Sequence, residues 1–286
     1  MAVALGASGY VLSVATRAAI LAMAAVPLQF ILGFGGLVSF GHTATVGIGA
    51  YAVLASGGAD GLVVLPAAVA AAAAFAALTG LVALRTRGVT FIMITLAFGQ
   101  MAYFVAQSLA AFGGDDGMAL DTRSPLFGQP VLEERAVFHM LVVGNLVLLG
   151  LLLRMVALSR FGRVLRAARE NEVRVAALGY DVVRIRLAAY TMGGAGGGMA
   201  GFWLANNSEF VSPAVLDWRS SGHLLVMVIL GSVGALGRSV DGRLVGAAAG
   251  ATGLIVAEEG LALLTPHWPL LLGPALVLIA LLGRRA

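Results

Sequence analysis

Apolar segments follow one another along almost the whole chain, and that succession limits the possible folds more than any other feature. A helix crossing a bilayer needs about 20 consecutive apolar residues. Runs of this kind lie near 11–34, 40–56, 62–84, 89–112, 136–157, 187–206, 221–237, 244–264 and 268–283. In hydrocarbon each backbone N–H and C=O must find its partner inside the protein, so such runs form helices. The sequence therefore predicts an all-α fold, a polytopic α-helical membrane protein with about nine transmembrane segments in one domain, 1–286. Composition agrees: 60% of the 286 residues are hydrophobic, 11% are charged and mean hydropathy is +0.97, which excludes a soluble globular protein. The first ten residues lack the basic region of a cleaved leader, so the first segment is expected to be retained.

One stretch breaks the apolar pattern. Ser159 to Arg186 carries seven of the 18 basic residues, Arg160, Arg163, Arg166, Arg169, Arg174, Arg184 and Arg186, against Glu170, Glu172 and Asp181. So polar a run cannot lie in hydrocarbon, and under the positive-inside rule it faces the cytoplasm. Phe161, Val164, Leu165, Ala168, Val175 and Leu178 share a helical face, while Arg163, Arg166 and Glu170 share another. Gly179 reads as the stop of this amphipathic helix. Threading nine segments puts the other basic clusters, Arg85 with Arg87, Arg238 with Arg243, and Arg284 with Arg285, on the same side. The opposite side receives GGADG at 57–61 and the loop 113–135, whose five acids outnumber Arg123 and Arg135. An odd number of spans then places the N-terminus outside.

Missing residue types exclude several chemistries. The chain has no lysine, so it holds neither a P-loop lysine for ATP nor a Schiff-base lysine. It has no cysteine, and His42, His139, His223 and His267 are scattered without ligand spacing, so neither a metal nor a cofactor is expected. Juxtamembrane arginine explains the pI near 10.1 without invoking nucleic acid.

Polar residues inside the spans are few. Ser39 and His42 stand three apart with no acid nearby, which favours a structural hydrogen bond for His42 over a nucleophile. Gln100, Tyr103 and Gln107 recur at i, i+3, i+7 and form one polar stripe; it either bonds to neighbouring helices or lines a path for a polar solute. Arg17 is expected to snorkel to the outer face, and at least one of Glu258 and Glu259 to reach water there, although a proton-coupling carboxylate would look similar. The short segment FGHTATVGIGAYAVLAS reads as a helix enclosed by others. Gly193, Gly197 and Gly201, with Gly194 and Gly198 beside them, make a face for close backbone contact, with static packing favoured over a moving seam.

Four stretches together resemble one family. They are GFGGLVSFGHTATVGIGAY (33–51), TLAFGQMAYFVAQSLAAFGGDDGM (95–118), GRVLRAARENEVRVAALGYDVVRIRLAAY (162–190) and FVSPAVLDWRSSGHLLVMVILGSVGALGRSVDGRLVGA (210–247). In this order they resemble the permease subunits of ATP-binding cassette importers for branched-chain amino acids, the M-type (LivM-like) members in particular. Family members commonly begin with a further hydrophobic segment, and Gln29 stands where their pattern often has asparagine. The resemblance implies an ABC importer permease in the bacterial inner membrane. Its partners would be a second permease subunit (an H-type paralogue), two ABC ATPase subunits, a periplasmic solute-binding protein and the membrane lipid. It makes 159–186 the cytoplasmic ATPase-docking loop, with Arg163, Leu165, Arg166, Arg169, Glu170, Glu172, Leu178 and Gly179 as docking residues. Gln29, His42, Gln100, Tyr103 and Gln107 are the candidate solute-path residues. The implied solute is a branched-chain amino acid or a related small polar molecule, and the chain itself would catalyse no reaction. The competing class is a gradient-driven carrier or channel, which has no need of a dense amphipathic docking helix.

Overall fold

The structure, a computed structural model, describes residues 2–232 and 239–264 together with positions 267, 270, 273 and 274. Ten α-helices lie among these residues: α1 (Ala2–Gln29), α2 (His42–Ala55), α3 (Gly61–Ala83), α4 (Val89–Ser108), α5 (Arg135–Leu158), α6 (Arg160–Glu170), α7 (Glu172–Ala177), α8 (Val182–Ser208), α9 (Trp218–Gly231) and α10 (Val240–Leu264). Polar residues open several of them. The side chains of Asp60, Ser159, Asn171, Asp181 and Asp217 accept a backbone N–H from the first turn of α3, α6, α7, α8 and α9. Pro27 interrupts α1, which continues as a π-helical turn over Phe30–Phe34. A proline and a π-turn both leave backbone carbonyls without helical partners, and those of this segment are used elsewhere.

α8 is the centre of the bundle. Its glycines let α1, α2 and α3 approach to backbone contact, because a β-carbon at Gly198 would stand 2.6 Å from the Ala68 carbonyl oxygen and one at Gly201 would stand 2.8 Å from the Ala50 nitrogen. Gly196 gives way to Pro27 of α1 in the same manner, at 2.8 Å. α2 lies enclosed as expected, with ten of its 14 residues buried, including Thr43 and Thr45. Their hydroxyls are satisfied internally: Thr43 bonds Ser221 of α9 at 2.5 Å, and Thr45 donates to the His42 carbonyl at 2.6 Å. α9 and α10 cross through Gly231 and Gly250.

Charge sorts to the two ends. Arg87 and Arg186 meet Glu172, Arg154 meets Asp241, and Arg169 and Arg243 reach Gly33, so the basic ends of α1, α3–α4, α5–α7, α8 and α10 gather at one end of the bundle. The acidic loop lies at the other. There β1 (Met118–Ala119) pairs antiparallel with β2 (Phe210–Val211), tying the loop to the end of α8. Arg123 fastens it further through Glu209 at 2.9 Å and the Leu132 carbonyl at 2.7 Å.

Among the described residues five helical spans are long and apolar enough to cross a membrane: Gly9–Phe34, Gly61–Ala83, Val89–Ser108, Arg135–Leu158 and Val240–Ala262. α2 and α9, at 14 residues each, are shorter than a full crossing, and α8 is long but made less apolar by its glycines. The seventh segment, expected to reach 237, ends as a helix at Gly231, and 233–238 lies outside the described residues. So does most of the ninth, 268–283. The charged groups expected at the outer face have partners there. Arg17 is half exposed and lies 3.4 Å from Glu259, which also accepts from Tyr10 at 2.7 Å. Of the two glutamates, Glu259 is the one that reaches water, whereas Glu258 is mostly covered and 2.6 Å from His223.

The glycine packing makes a direct prediction. Gly201→Ala forces a β-carbon onto the Val46 carbonyl and should destabilise the fold by about 1–3 kcal/mol. Gly144→Ala in α5 meets nothing within 4 Å and should be neutral or stabilising by about 0.5–1 kcal/mol. Thermal midpoints of the detergent-solubilised variants should fall in that order.

Candidate functional site

The arginine-rich stretch folds as a helical hairpin of two pieces, where the sequence predicted one helix centred on Arg163–Leu178. Asn171 breaks it: its backbone is extended at φ −151°, and its side chain accepts the Arg174 N–H at 2.9 Å, so a new helix starts there. α7 then ends at Ala177, and Gly179, at φ +87°, turns the chain toward α8.

α6 is fastened to the bundle. Leu165 is fully buried beside Gly162 and Ala168, and Val164, Ala168, Val175 and Val182 form a small cluster beneath the hairpin. This corrects the expectation that the apolar face is offered to a partner. A periodic face shows which residues lie together, and here the chain's own helices take it. The arginines of α6 also point home. Arg163 donates to the Leu158 carbonyl at 3.1 Å, Arg166 to the Ala157 carbonyl at 2.8 Å with its guanidinium 5.7 Å from the Phe34 ring, and Arg169 to the Gly33 carbonyl in the π-turn. Arg243 of α10, which the sequence placed on the basic side but not at this contact, shares that acceptor at 2.7 Å.

Glu172, expected at the docking surface, is instead the centre of an internal clamp. One carboxylate oxygen meets Arg87 at 2.8 Å and the other meets Arg186 at 2.9 Å, while Arg186 also donates to the Ala168 carbonyl. What the hairpin does present outward is Glu170, Arg174, Leu178 and Gly179 together with Val173 and Tyr180. Val173 and Leu178 are 77% and 72% exposed, an apolar tip on an otherwise charged projection. Sequence reasoning missed Val173 and Tyr180, although Tyr180 follows the expected helix stop directly.

The candidate solute-path residues divide into two groups. Gln29 and His42 are buried and satisfied within the chain, Gln29 by the Ser232 hydroxyl at 3.3 Å and His42 through Nε2 to the Ala24 carbonyl at 3.1 Å. Gln100, Tyr103 and Gln107 lie on one half-buried face of α4, climbing about 10 Å toward the acidic loop. Gln107 donates to Asp115 at 2.7 Å, whereas the buried Gln100 Nε2 has no partner among the described residues. The Tyr51 hydroxyl of α2 is likewise buried without a partner, its ring 6.2 Å from Phe112 in the same loop. An amide or a hydroxyl shielded by protein and left unpaired costs about 1–3 kcal/mol, so both groups call for water or a polar solute. Among the described residues no group of three or more His, Asp and Glu is placed to hold a metal ion.

Residues 10–281 match the family model described as "Branched-chain amino acid transport system / permease component". The chain belongs to this permease family. It is 30% identical over 252 residues to the "High-affinity branched-chain amino acid transport system permease protein LivM" of Salmonella typhimurium (strain LT2), and equally so to the protein of the same name from Escherichia coli (strain K12). Each alignment covers 78% of this chain and 58% of the relative's length. No solved structure matches the chain.

In this permease the clamp joins the hairpin to the α3–α4 turn and to α8. Its two halves differ in value. Arg186 is largely shielded, so depriving it of Glu172 leaves a partly buried charge unpaired, whereas Arg87 lies in solvent, where an ion pair is worth about 0–1 kcal/mol. Glu172→Gln should therefore cost about 1–3 kcal/mol and Arg87→Gln less than about 1 kcal/mol. Thermal midpoints in detergent at low and high salt check both, and salt should weaken only the Arg87 contribution.

Proposed function

We propose that this chain is the membrane-spanning permease subunit of an ABC importer for a branched-chain amino acid or a related small polar solute. It works in the bacterial inner membrane with the arginine-rich end cytoplasmic. A second permease subunit, two ATPases and a periplasmic solute-binding protein complete the machine. The observation that carries the reading is the hairpin tip: Val173, Leu178 and Tyr180 exposed among Glu170, Arg174 and Asp181, on a support whose other contacts are all internal. Apolar anchors with a charged rim are what a groove on a partner protein recognises. ATP hydrolysis belongs to a separate chain, because this sequence has no lysine for a P-loop.

Force arriving at α7 has three routes into the bundle. Glu172 leads to the α3–α4 turn and to α8, Arg169 leads to the π-turn of α1, and α6 continues into α5. Closure of the ATPases would rock these helices between outward-open and inward-open arrangements. The solute would pass along the α4 face of Gln100, Tyr103 and Gln107, with Tyr51 near its outer end, and the unpaired Gln100 amide supports that course. Gln100→Leu should reduce uptake while leaving ATPase association unchanged; normal uptake makes the stripe structural.

The docking reading is tested at the tip and not at the buried face, since Leu165→Asp would disturb packing whatever the function. Val173→Asp, Leu178→Asp and Glu170→Arg should each leave insertion and thermal midpoint unchanged. They should lower ATPase co-purification about tenfold and abolish solute uptake. Full co-purification and uptake in all three would remove the tip's docking role, and uptake with no ATPase co-purifying from the wild type would leave a carrier driven without one.

A further inference from the structure

A groove of about 480 Å³ lies between α5 and α10, floored by Val26 of α1 and walled by Gly150, Leu151, Val245 and Ala248. Its charged end is Arg154 with Asp241. Both flanking helices are long and apolar enough to cross a membrane, so the open side of the groove faces hydrocarbon, where no water is at hand to fill it. Along α5 the lining runs from Leu146 to Arg154, roughly 12 Å. Arg154 stands about one turn from the end of α5 and Asp241 in the first turn of α10, the depth at which a helix leaves the acyl region for the headgroups. Gly150 keeps the groove open: a β-carbon there meets nothing within 4 Å, so no contact inside the chain demands glycine.

The charged end selects the occupant. Arg154 Nε and Nη2 donate to the two oxygens of Asp241 at 2.6 and 3.1 Å, and both side chains remain about half exposed. The pair is neutral as a whole. An anionic headgroup would gain from the guanidinium and lose to the carboxylate beside it. A headgroup with a phosphate and a primary ammonium meets the opposite charge at both points, and its ammonium can donate a hydrogen bond to Asp241, which a quaternary ammonium cannot.

We propose that this groove binds one phospholipid of the phosphatidylethanolamine type, its acyl chain laid between α5 and α10, its phosphate on the outward N–H groups of Arg154 and its ammonium on Asp241. The inference rests on the membrane-spanning character of the two helices and is independent of the ATPase-docking reading.

The test uses the full-length chain, purified in mild detergent and reconstituted in vesicles of phosphatidylethanolamine mixed with phosphatidylglycerol or with phosphatidylcholine. Retained lipid is measured by mass spectrometry after detergent washing. The wild type should retain phosphatidylethanolamine in preference to both competitors. Gly150→Phe fills the groove and should reduce retention about tenfold at an unchanged thermal midpoint. Asp241→Asn leaves Arg154 as an unpaired cation, so preference should pass to phosphatidylglycerol, a change that a merely structural aspartate would not produce. Equal retention of all three lipids by the wild type, or undiminished retention by Gly150→Phe, would overturn the proposal.

Discussion

α8 approaches α2 so closely that the Val46 carbonyl occupies the space a β-carbon on residue 201 would need. Between membrane helices there is no hydrophobic driving force, so association depends on dispersion contacts between surfaces that fit, and glycine gives the tightest fit available. Because α8 touches α1, α2 and α3 through glycines on different faces, it fixes all three at once. The enclosure of α2 follows. A helix of 14 residues surrounded by protein can carry Thr43, Thr45 and His42, since neighbours supply the partners that lipid cannot.

At the arginine-rich end the same economy of contact is achieved with charge. Arg163, Arg166 and Arg169 of α6 donate to backbone carbonyls that helix ends and the π-turn leave open, at Leu158, Ala157 and Gly33. α6 and α7 thereby acquire different mechanical characters. One is part of the bundle and the other projects from it, with Asn171 as the joint and Glu172 as the tie that keeps the projection from swinging freely.

The helices were legible where an apolar run is bounded by charge. The fifth segment, read as 136–157, is Arg135–Leu158 in the structure, and the third, read as 62–84, is Gly61–Ala83. α8 begins five residues before its expected start of 187, because Arg184 and Arg186 hid a helix that Asp181 caps and Glu172 helps to neutralise. The break at Asn171 had a local signal, an asparagine directly before Glu172 in capping position, but the run of charges continues across it at helical spacing. The direction in which the hairpin's apolar face turns was not legible at all. Leu165 and Leu178 share a periodicity, yet one is fully buried and the other mostly exposed, and only the position of α1 and α5 beneath α6 decides which. The Glu172–Arg87 pair, 85 residues apart, has no footprint in either local sequence. Similarly, the polar stripe on α4 could be found from its spacing, and the structural hydrogen bond expected of His42 is present, while the satisfied state of Gln29 could not be read.

The Gly33 carbonyl holds two donors from different parts of the chain, Arg169 from the hairpin and Arg243 from α10. A carbonyl oxygen has two lone pairs, and here both are occupied. Withdrawal of Arg169 therefore orphans nothing: the oxygen keeps Arg243, and the guanidinium moves toward solvent at the bundle's end. The energetic difference between joined and parted states is then that of one net hydrogen bond, about 1.5–3 kcal/mol for a charged donor, without the penalty of a bare carbonyl. A seam built this way tolerates the loss of the Arg169 contact alone, because Arg243 keeps the π-turn of α1 tied to α10 while α6 stays held by its buried face.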